Sequence, residues 1–113
     1  DWLFYIGRSY NDRWLIDRQL NGNVCEARIW DVARTQQEIW KNMYDIEDPE
    51  NEAHLAAYWK FNEGSGNDIK DYSKYHNDAH IVRYWKDFNS KYDVKNEELW
   101  PSGIEVPQVN RED

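Results

Sequence analysis

Apolar and polar residues alternate with a period of two in several stretches of this chain, and in one stretch they recur with the period of a helix. Residues 2–8, Trp-Leu-Phe-Tyr-Ile-Gly-Arg, are aromatic and β-branched and predict a strand. Polar Ser9 to Arg13 predicts a turn, and Trp14, Leu15 and Ile16 a short strand beyond it. Asn21-Gly22 is a strong turn signal. From Asn23 to Asp31, Val24, Glu26, Arg28 and Trp30 share one face, and Cys25, Ala27 and Ile29 the other. The small, aliphatic face suits a core, which places Cys25 inward as an inert thiol. Thr35-Gln36-Gln37-Glu38 has the spacing of a capping box, in which the threonine hydroxyl and the glutamate carboxylate each accept from the other's amide. Ile39, Trp40 and Met43 follow at helical spacing and predict a helix from Gln36 to Asp45 with Trp40 on its buried face.

Asp45 to Glu52 carries five acids and Pro49 and predicts a solvated loop. From His54 to Asn62 the alternation returns, with Leu55, Ala57, Trp59 and Phe61 on one face and Ala56, Tyr58 and Lys60 on the other. Glu63-Gly64-Ser65-Gly66-Asn67-Asp68 ends that strand. A loop rich in Asp, Asn and Tyr is predicted from Asp68 to Asp78, and a last strand from Ala79 to Trp85. Beyond Lys86 the chain is polar until Trp100, and Pro101 and Pro107 disfavour a central strand there. The pattern predicts a mostly β fold, an antiparallel sandwich with one short helix.

Composition sharpens this picture. The 113 residues suit one small domain. Leu, Ile, Val and Phe make up only about a fifth of them, which with a formal charge of −8 lies at the compositional border of disorder. Seven Trp and eight Tyr decide for a folded domain, because each buries a large ring while its polar edge finds a partner. The negative charge argues against nucleic acid, whose phosphates need a basic surface. No run approaches the ~18 apolar residues of a membrane span. A single cysteine excludes an intrachain disulfide framework and a zinc ribbon. The sequence opens at Asp1 with neither Met nor a secretory leader, and is expected to be a processed product or a fragment.

Two segments carry a resemblance. The first is Gly22-Asn23-Val24-Cys25-Glu26-Ala27-Arg28-Ile29-Trp30-Asp31-Val32-Ala33-Arg34-Thr35 with Glu38-Ile39. The second is Leu55-Ala56-Ala57-Tyr58-Trp59-Lys60-Phe61-Asn62-Glu63-Gly64-Ser65-Gly66 with Asp71-Tyr72-Ser73. In this order they resemble the laminin-G-like domains of the concanavalin A-like lectin/glucanase superfamily, close to the pentraxins. The resemblance implies a strand entering a short helix, then a strand leaving through a Gly-rich turn to an Asp-Ser turn. Such domains run to roughly 150–200 residues, as two-sheet jelly rolls do. Residues 1–85 are therefore expected to be the C-terminal half of a jelly-roll sandwich, and residues 86–113 a polar extension or tail. The upstream half, or a second copy of the chain, is expected to complete the sheets.

The same resemblance bears on chemistry. Some glycoside hydrolases of the superfamily alternate carboxylates on one strand, where they serve as nucleophile and general acid. The matching strand here offers Glu26 but has Arg28 in place of a second acid, so no catalytic constellation is expected. His76 and His80 lie in a predicted turn and strand, which does not suit a zinc pair, and His54 begins a strand. Calcium is the candidate cation, because it takes six to eight oxygen ligands from loops. Asn67, Asp68, Asp71 and Asp78 are the candidate ligands, with Asn62, Glu63 and Asn77 nearby. In the family, the aspartate matching Asp71 also serves simply to close its turn through nearby amides.

Among the aromatics, Trp30, Trp40, Trp59 and Phe61 are expected in the core. Tyr10, Trp14, Tyr72, Tyr75 and Trp85 fall in or beside loops, where a ring face can stack on the C–H groups of a pyranose or mark a protein interface. Trp14, Tyr10, Tyr75 and Trp85 are the candidate ligand-binding residues, Trp14 first among them because Asp12 and Arg13 flank it. The expected function is non-catalytic binding of a glycan by a secreted or cell-surface protein. The alternatives are a structural or protein-interaction domain and an ancillary domain of a glycoside hydrolase.

Overall fold

The computed structural model describes residues 4–7, 9–10, 16–17, 22–81 and 99–102. Six short strands pair two by two and antiparallel. Strand β1 (Ser9–Tyr10) pairs with β2 (Ile16–Asp17), β3 (Ala27–Trp30) with β4 (Leu55–Trp59), and β5 (Asp68–Ile69) with β6 (Ala79–His80). One helix, α1 (Gln36–Lys41), and a 3₁₀ turn over Pro49–Asn51 lie between β3 and β4. The residues from β3 to β6 are thus antiparallel strand and coil, with α1 between β3 and β4. No helix among the described residues is long and apolar enough to cross a membrane.

The central pair is β3–β4, with Ala27 opposite Trp59, Arg28 opposite Tyr58, Ile29 opposite Ala57 and Trp30 opposite Leu55. The register slips between Ile29 and Trp30, which leaves Ala56 as the extra residue of a bulge. Because side chains alternate with a period of two, a one-residue slip turns the following residue over. Leu55 accordingly joins Tyr58 and Ile46 in one buried cluster, with Trp30 and Tyr72 packed against it. Ala57, Trp59 and Ile69 form the second cluster, covered by Ala27, Phe61, Ala79, Ile81 and Trp100. The single apolar face expected for Leu55, Ala57, Trp59 and Phe61 is therefore divided, and β4 is buried on both sides. Aromatics supply much of the cover, including Phe4, whose ring stacks on Trp59 at 5.9 Å.

The sequence pattern overshoots the strand ends, and backbone conformation gives the reason. Glu26 and Phe61 both adopt left-handed φ, at 54° and 59°. They flank the cross-strand bond from the Glu26 amide to the Lys60 carbonyl, so both strands stop at this end of the sheet. Left-handed backbone costs an L-residue on the order of 1–2 kcal/mol, which packing of Phe61 on the second cluster helps to offset. Cys25 precedes Glu26, falls outside β3 and is exposed, a correction to its expected inward place. Ile29 is also partly exposed, so only Ala27 of that face is covered. Near the N-terminus, Gly7 takes φ 93° and residues 4–7 are not strand. The first strand among the described residues is β1, within the segment expected to turn.

Helix α1 starts as expected and ends early. Thr35 caps it: its hydroxyl accepts from the Glu38 amide at 3.2 Å, and the Glu38 carboxylate accepts from the Thr35 amide at 2.9 Å. Those bonds hold the Glu38 carboxyl below its ordinary pKa, the Thr35 amide contributing most. The helix has no fully buried residue, and Ile39 is 52% exposed, so its expected apolar face is not packed as a core. Arginines anchor its C-terminal end instead. Arg28 Nη1 donates to the Asn42 carbonyl, and Arg34 Nη2 donates to Asn42 Oδ1 at 2.6 Å and to the Glu38 carbonyl at 3.3 Å. Cations belong at this negative end of the dipole. Arg34 also lies 3.7 Å above the Trp30 ring, which leaves that tryptophan half-buried.

Two stability changes follow. Thr35→Ala removes the cap and should cost about 1 kcal/mol in urea unfolding; an unchanged midpoint would show that the box contributes nothing. Trp59 is 7% exposed, and Trp59→Ala should cost roughly 3–5 kcal/mol by the same measurement. A loss below about 1 kcal/mol would remove Trp59 from the core.

Candidate functional site

The second edge of β4 is closed by a turn. Asp71 is fully buried, and its carboxylate accepts four bonds. The Tyr58 and Ser73 amides donate to Oδ1 at 2.9 and 2.8 Å. The Asn77 amide and the Ser73 hydroxyl donate to Oδ2 at 2.8 and 3.0 Å. The Tyr72 amide in turn donates to the Tyr58 carbonyl at 2.8 Å, and Asp71 forms a bridge with Trp59. Burial raises the pKa of an aspartate. Here the amides of Ser73, Tyr58 and Asn77 and the Ser73 hydroxyl outweigh it and hold Asp71 below its ordinary range.

The same centre fixes residues 71–78. The Asp78 carboxylate accepts from the Asp71 amide at 2.9 Å, and Trp59 Nε1 donates to the Asn77 carbonyl at 3.1 Å. The Tyr75 amide donates to the Ser73 hydroxyl oxygen at 3.3 Å. Tyr75 thus sits on a turn whose backbone is held from below, and the residue is 52% exposed. Lys74 Nζ lies 5.2 Å from that ring's centroid. The Tyr72 ring has two ammonium groups near it, Lys70 at 4.6 Å and Lys60 at 4.8 Å.

A charged network borders the turn. The Tyr58 hydroxyl donates to Glu26 Oε1 at 2.5 Å, with Asp45 Oδ1 at 3.4 Å. Arg28 Nη2 donates to the same Glu26 oxygen at 2.6 Å and its guanidinium lies 5.0 Å from the Tyr58 ring centroid. Lys60 pairs with Asp45 at 3.4 Å. Burial, and then the Glu26 carboxylate, push the Tyr58 hydroxyl's pKa upward, so it stays a proton donor. Tyr58 is fully buried beneath these groups, which gives the network a structural part: it satisfies a phenol inside the core. The Glu26–Arg28 pairing is legible from their shared strand face. Asp45 and Lys60 enter only through the fold.

The sequence candidates distribute as follows. Trp14 and Trp85 lie outside the described residues. Tyr10 is opposite Ile16 in the β1–β2 pair. Tyr75 is exposed on the stapled turn. Of the candidate calcium ligands, Asp71 and Asp78 come together, but as carboxylate and amide partners within the turn. All the lone-pair positions of the Asp71 carboxylate are taken by protein donors. Asp68 pairs with His80 at 2.9 Å across β5–β6, and the Asn67 carbonyl accepts from the Ile81 amide at 2.7 Å. Among the described residues no three His, Cys, Asp or Glu side chains are grouped to hold a metal ion. The expected loop from Asp68 to Asp78 contains β5 and the Asp71 bridge, and Trp100, in the stretch read as an extension, donates from Nε1 to the Gly66 carbonyl at 3.1 Å. No family model, curated protein or solved structure matches the chain.

The carboxylate of Asp71 gives a pH-dependent contribution with a definite sign. Its folded pKa lies below its unfolded value, so its stabilisation is complete above the unfolded value, near 3.8, and is lost as pH falls through the lower folded value. Asp71→Asn should lower unfolding stability at neutral pH by on the order of 3 kcal/mol and flatten this acid-side loss. Parallel acid titrations of the two proteins by circular dichroism that lose structure identically would refute the assignment.

Proposed function

We propose that this chain is a non-catalytic binding module of a secreted or cell-surface protein, part of a laminin-G-like jelly-roll sandwich, and that its ligand is a carbohydrate. The observation that carries the proposal is Tyr75, an exposed ring on a turn fixed by a buried carboxylate. A pyranose presents C–H groups to a ring face and hydroxyls around it. A ring already held in place loses little entropy on binding. The Lys74 ammonium beside the ring supplies N–H donors for sugar hydroxyl oxygens. The strand pair β3–β4, the capped helix between them and the Asp71–Ser73 turn have the order the resemblance implies, and support the sandwich.

A second function has its own observation. Among the described residues β3 pairs only with β4, and Val24, Ile29, Val32 and Ile39 are exposed on and around β3 and α1. An unpaired edge beside apolar side chains suits packing against another domain, the upstream half of the sandwich or a second copy.

A glycan array probed with the intact protein separates the two. Specific binding, weakened about tenfold by Tyr75→Ala, is the expected outcome, equivalent to ~1.4 kcal/mol. Trp14→Ala serves as the companion variant. Binding that Tyr75→Ala leaves unchanged would remove Tyr75 from the site, and no binding to any glycan would favour the interaction domain.

A further inference from the structure

We infer that the Asp48–Pro49 peptide bond is self-cleaving: the aspartate's own carboxylate nicks the chain there, and the two pieces stay folded together. No other Asp–Pro bond occurs in the sequence. Asp48 is exposed and stands just ahead of the 3₁₀ turn, with left-handed backbone at φ 49° and ψ 55°. A proline ring pushes the residue before it toward extended backbone, with ψ at about 120–160°. Asp48 is therefore strained next to the bond it would break. Glu26, Phe61 and His76 also have positive φ, but none of them precedes a proline.

The two residue types decide the chemistry. An aspartate is ordinarily attacked on its side chain by the amide nitrogen of the next residue, which closes an imide and leaves the chain whole. Pro49 has no N–H, so that route is shut. The carboxylate instead attacks its own main-chain carbonyl carbon, which closes a five-membered ring. An O–C bond forms and the C–N bond to Pro49 breaks. The electron pair stays on the Pro49 nitrogen, which takes a proton from solvent and leaves as a secondary amine. Water then opens the cyclic anhydride, and Asp48 becomes a free C-terminus. Asn51 holds both reacting groups. Its side-chain amide donates to Asp48 Oδ2 at 2.7 Å, and its backbone amide donates to the Asp48 carbonyl at 3.0 Å. The second bond polarises the carbonyl under attack and strengthens as negative charge grows on its oxygen. Glu47 and Glu50 flank the bond in sequence, and their charge favours protonation of the leaving nitrogen; His76 faces Glu50 at 3.2 Å and offsets part of it.

The cut leaves the core joined. Ile46, before it, packs with Leu55 and Tyr58, after it. Strand β3 likewise pairs with β4 across the cut, and Asp45 with Lys60. The test incubates the intact protein in mildly acidic buffer, folded and in urea, and follows the products by mass spectrometry. The folded chain should release residues 1–48 and 49–113 about tenfold faster than the unfolded one, or more, because only the fold supplies the strain and the Asn51 bonds. Asp48→Asn and Pro49→Ala should each stop the reaction, with far-ultraviolet dichroism unchanged. The pieces should co-elute in size-exclusion chromatography and separate in urea. No cleavage at this bond, or equal rates folded and unfolded, would overturn the inference. Cleavage that persists in Asp48→Asn would assign the cut to a contaminating protease and overturn it too. Pieces that part in native buffer would overturn the joined two-piece form.

Discussion

The carboxylate of Asp71 stands where a neighbouring strand would otherwise be. Strand β4 is buried on both faces, and a strand so placed must satisfy its backbone on both edges. β3 serves one edge. On the other, Asp71 accepts from the Tyr58 amide and the next residue's amide returns a bond to the Tyr58 carbonyl. One side chain thus does the work of a strand's carbonyl and, through Ser73 and Asn77, pins the loop that delivers it. The short Asp-x-Ser segment closes the second edge of β4 at Tyr58. Bonds to a charged acceptor in a dry setting are strong, and an unmade one is costly, so the turn and the strand stand or fall together.

The scarcity of aliphatic residues has a matching solution. Tyr58, Trp59 and Trp100 fill the space that Leu, Ile and Val fill elsewhere, and each brings a polar group that needs a partner. Tyr58 finds Glu26, Trp59 the Asn77 carbonyl, and Trp100 the Gly66 carbonyl. These bonds make the packing directional. A leucine slides against its neighbours at little cost, whereas an indole bonded to a particular carbonyl holds loop and strand in one relation. The Glu26–Arg28 pair is then explained: it neutralises the carboxylate that the buried phenol requires.

How much of this was legible in the sequence depends on how local each cause is. The capping box lies within four residues, and Thr35 and Glu38 sit as their spacing says. The β3 and β4 segments follow from alternation, whereas Asp71 was read as a candidate calcium ligand, and its turn-closing bonds to the Tyr58, Ser73 and Asn77 amides become visible only in the fold. The bulge at Ala56 was not legible, because nothing in Leu55-Ala56-Ala57 marks an extra residue; only pairing with β3 creates it. The early strand ends at Glu26 and Phe61 are hidden for a related reason, since neither residue is a glycine that would advertise left-handed backbone. The helix was misjudged on its face: apolar spacing predicted that Trp40 would be buried, yet no residue of α1 is fully buried and arginine contacts with Asn42 and Glu38 do the anchoring. The cation–ring contacts at Tyr72 and Tyr75 escaped because spacing along the chain does not show which lysine meets which ring.

The same turn separates the groups that close the core from those left at the surface. In the turn from Asp71 to Asp78 the polar groups point in two directions. The carboxylate of Asp71, the Ser73 hydroxyl and the backbone amides turn inward and are consumed in closing β4. Outward on the same turn lie the exposed residues Lys74, Tyr75 and His76, whose side chains closure does not use. The amide bonds to Asp71 and to the Ser73 hydroxyl fix the backbone beneath the Tyr75 ring. The bonds that replace a missing strand also present a rigid, ring-bearing surface, so loosening Asp71 would be felt both in the core and at the surface it supports.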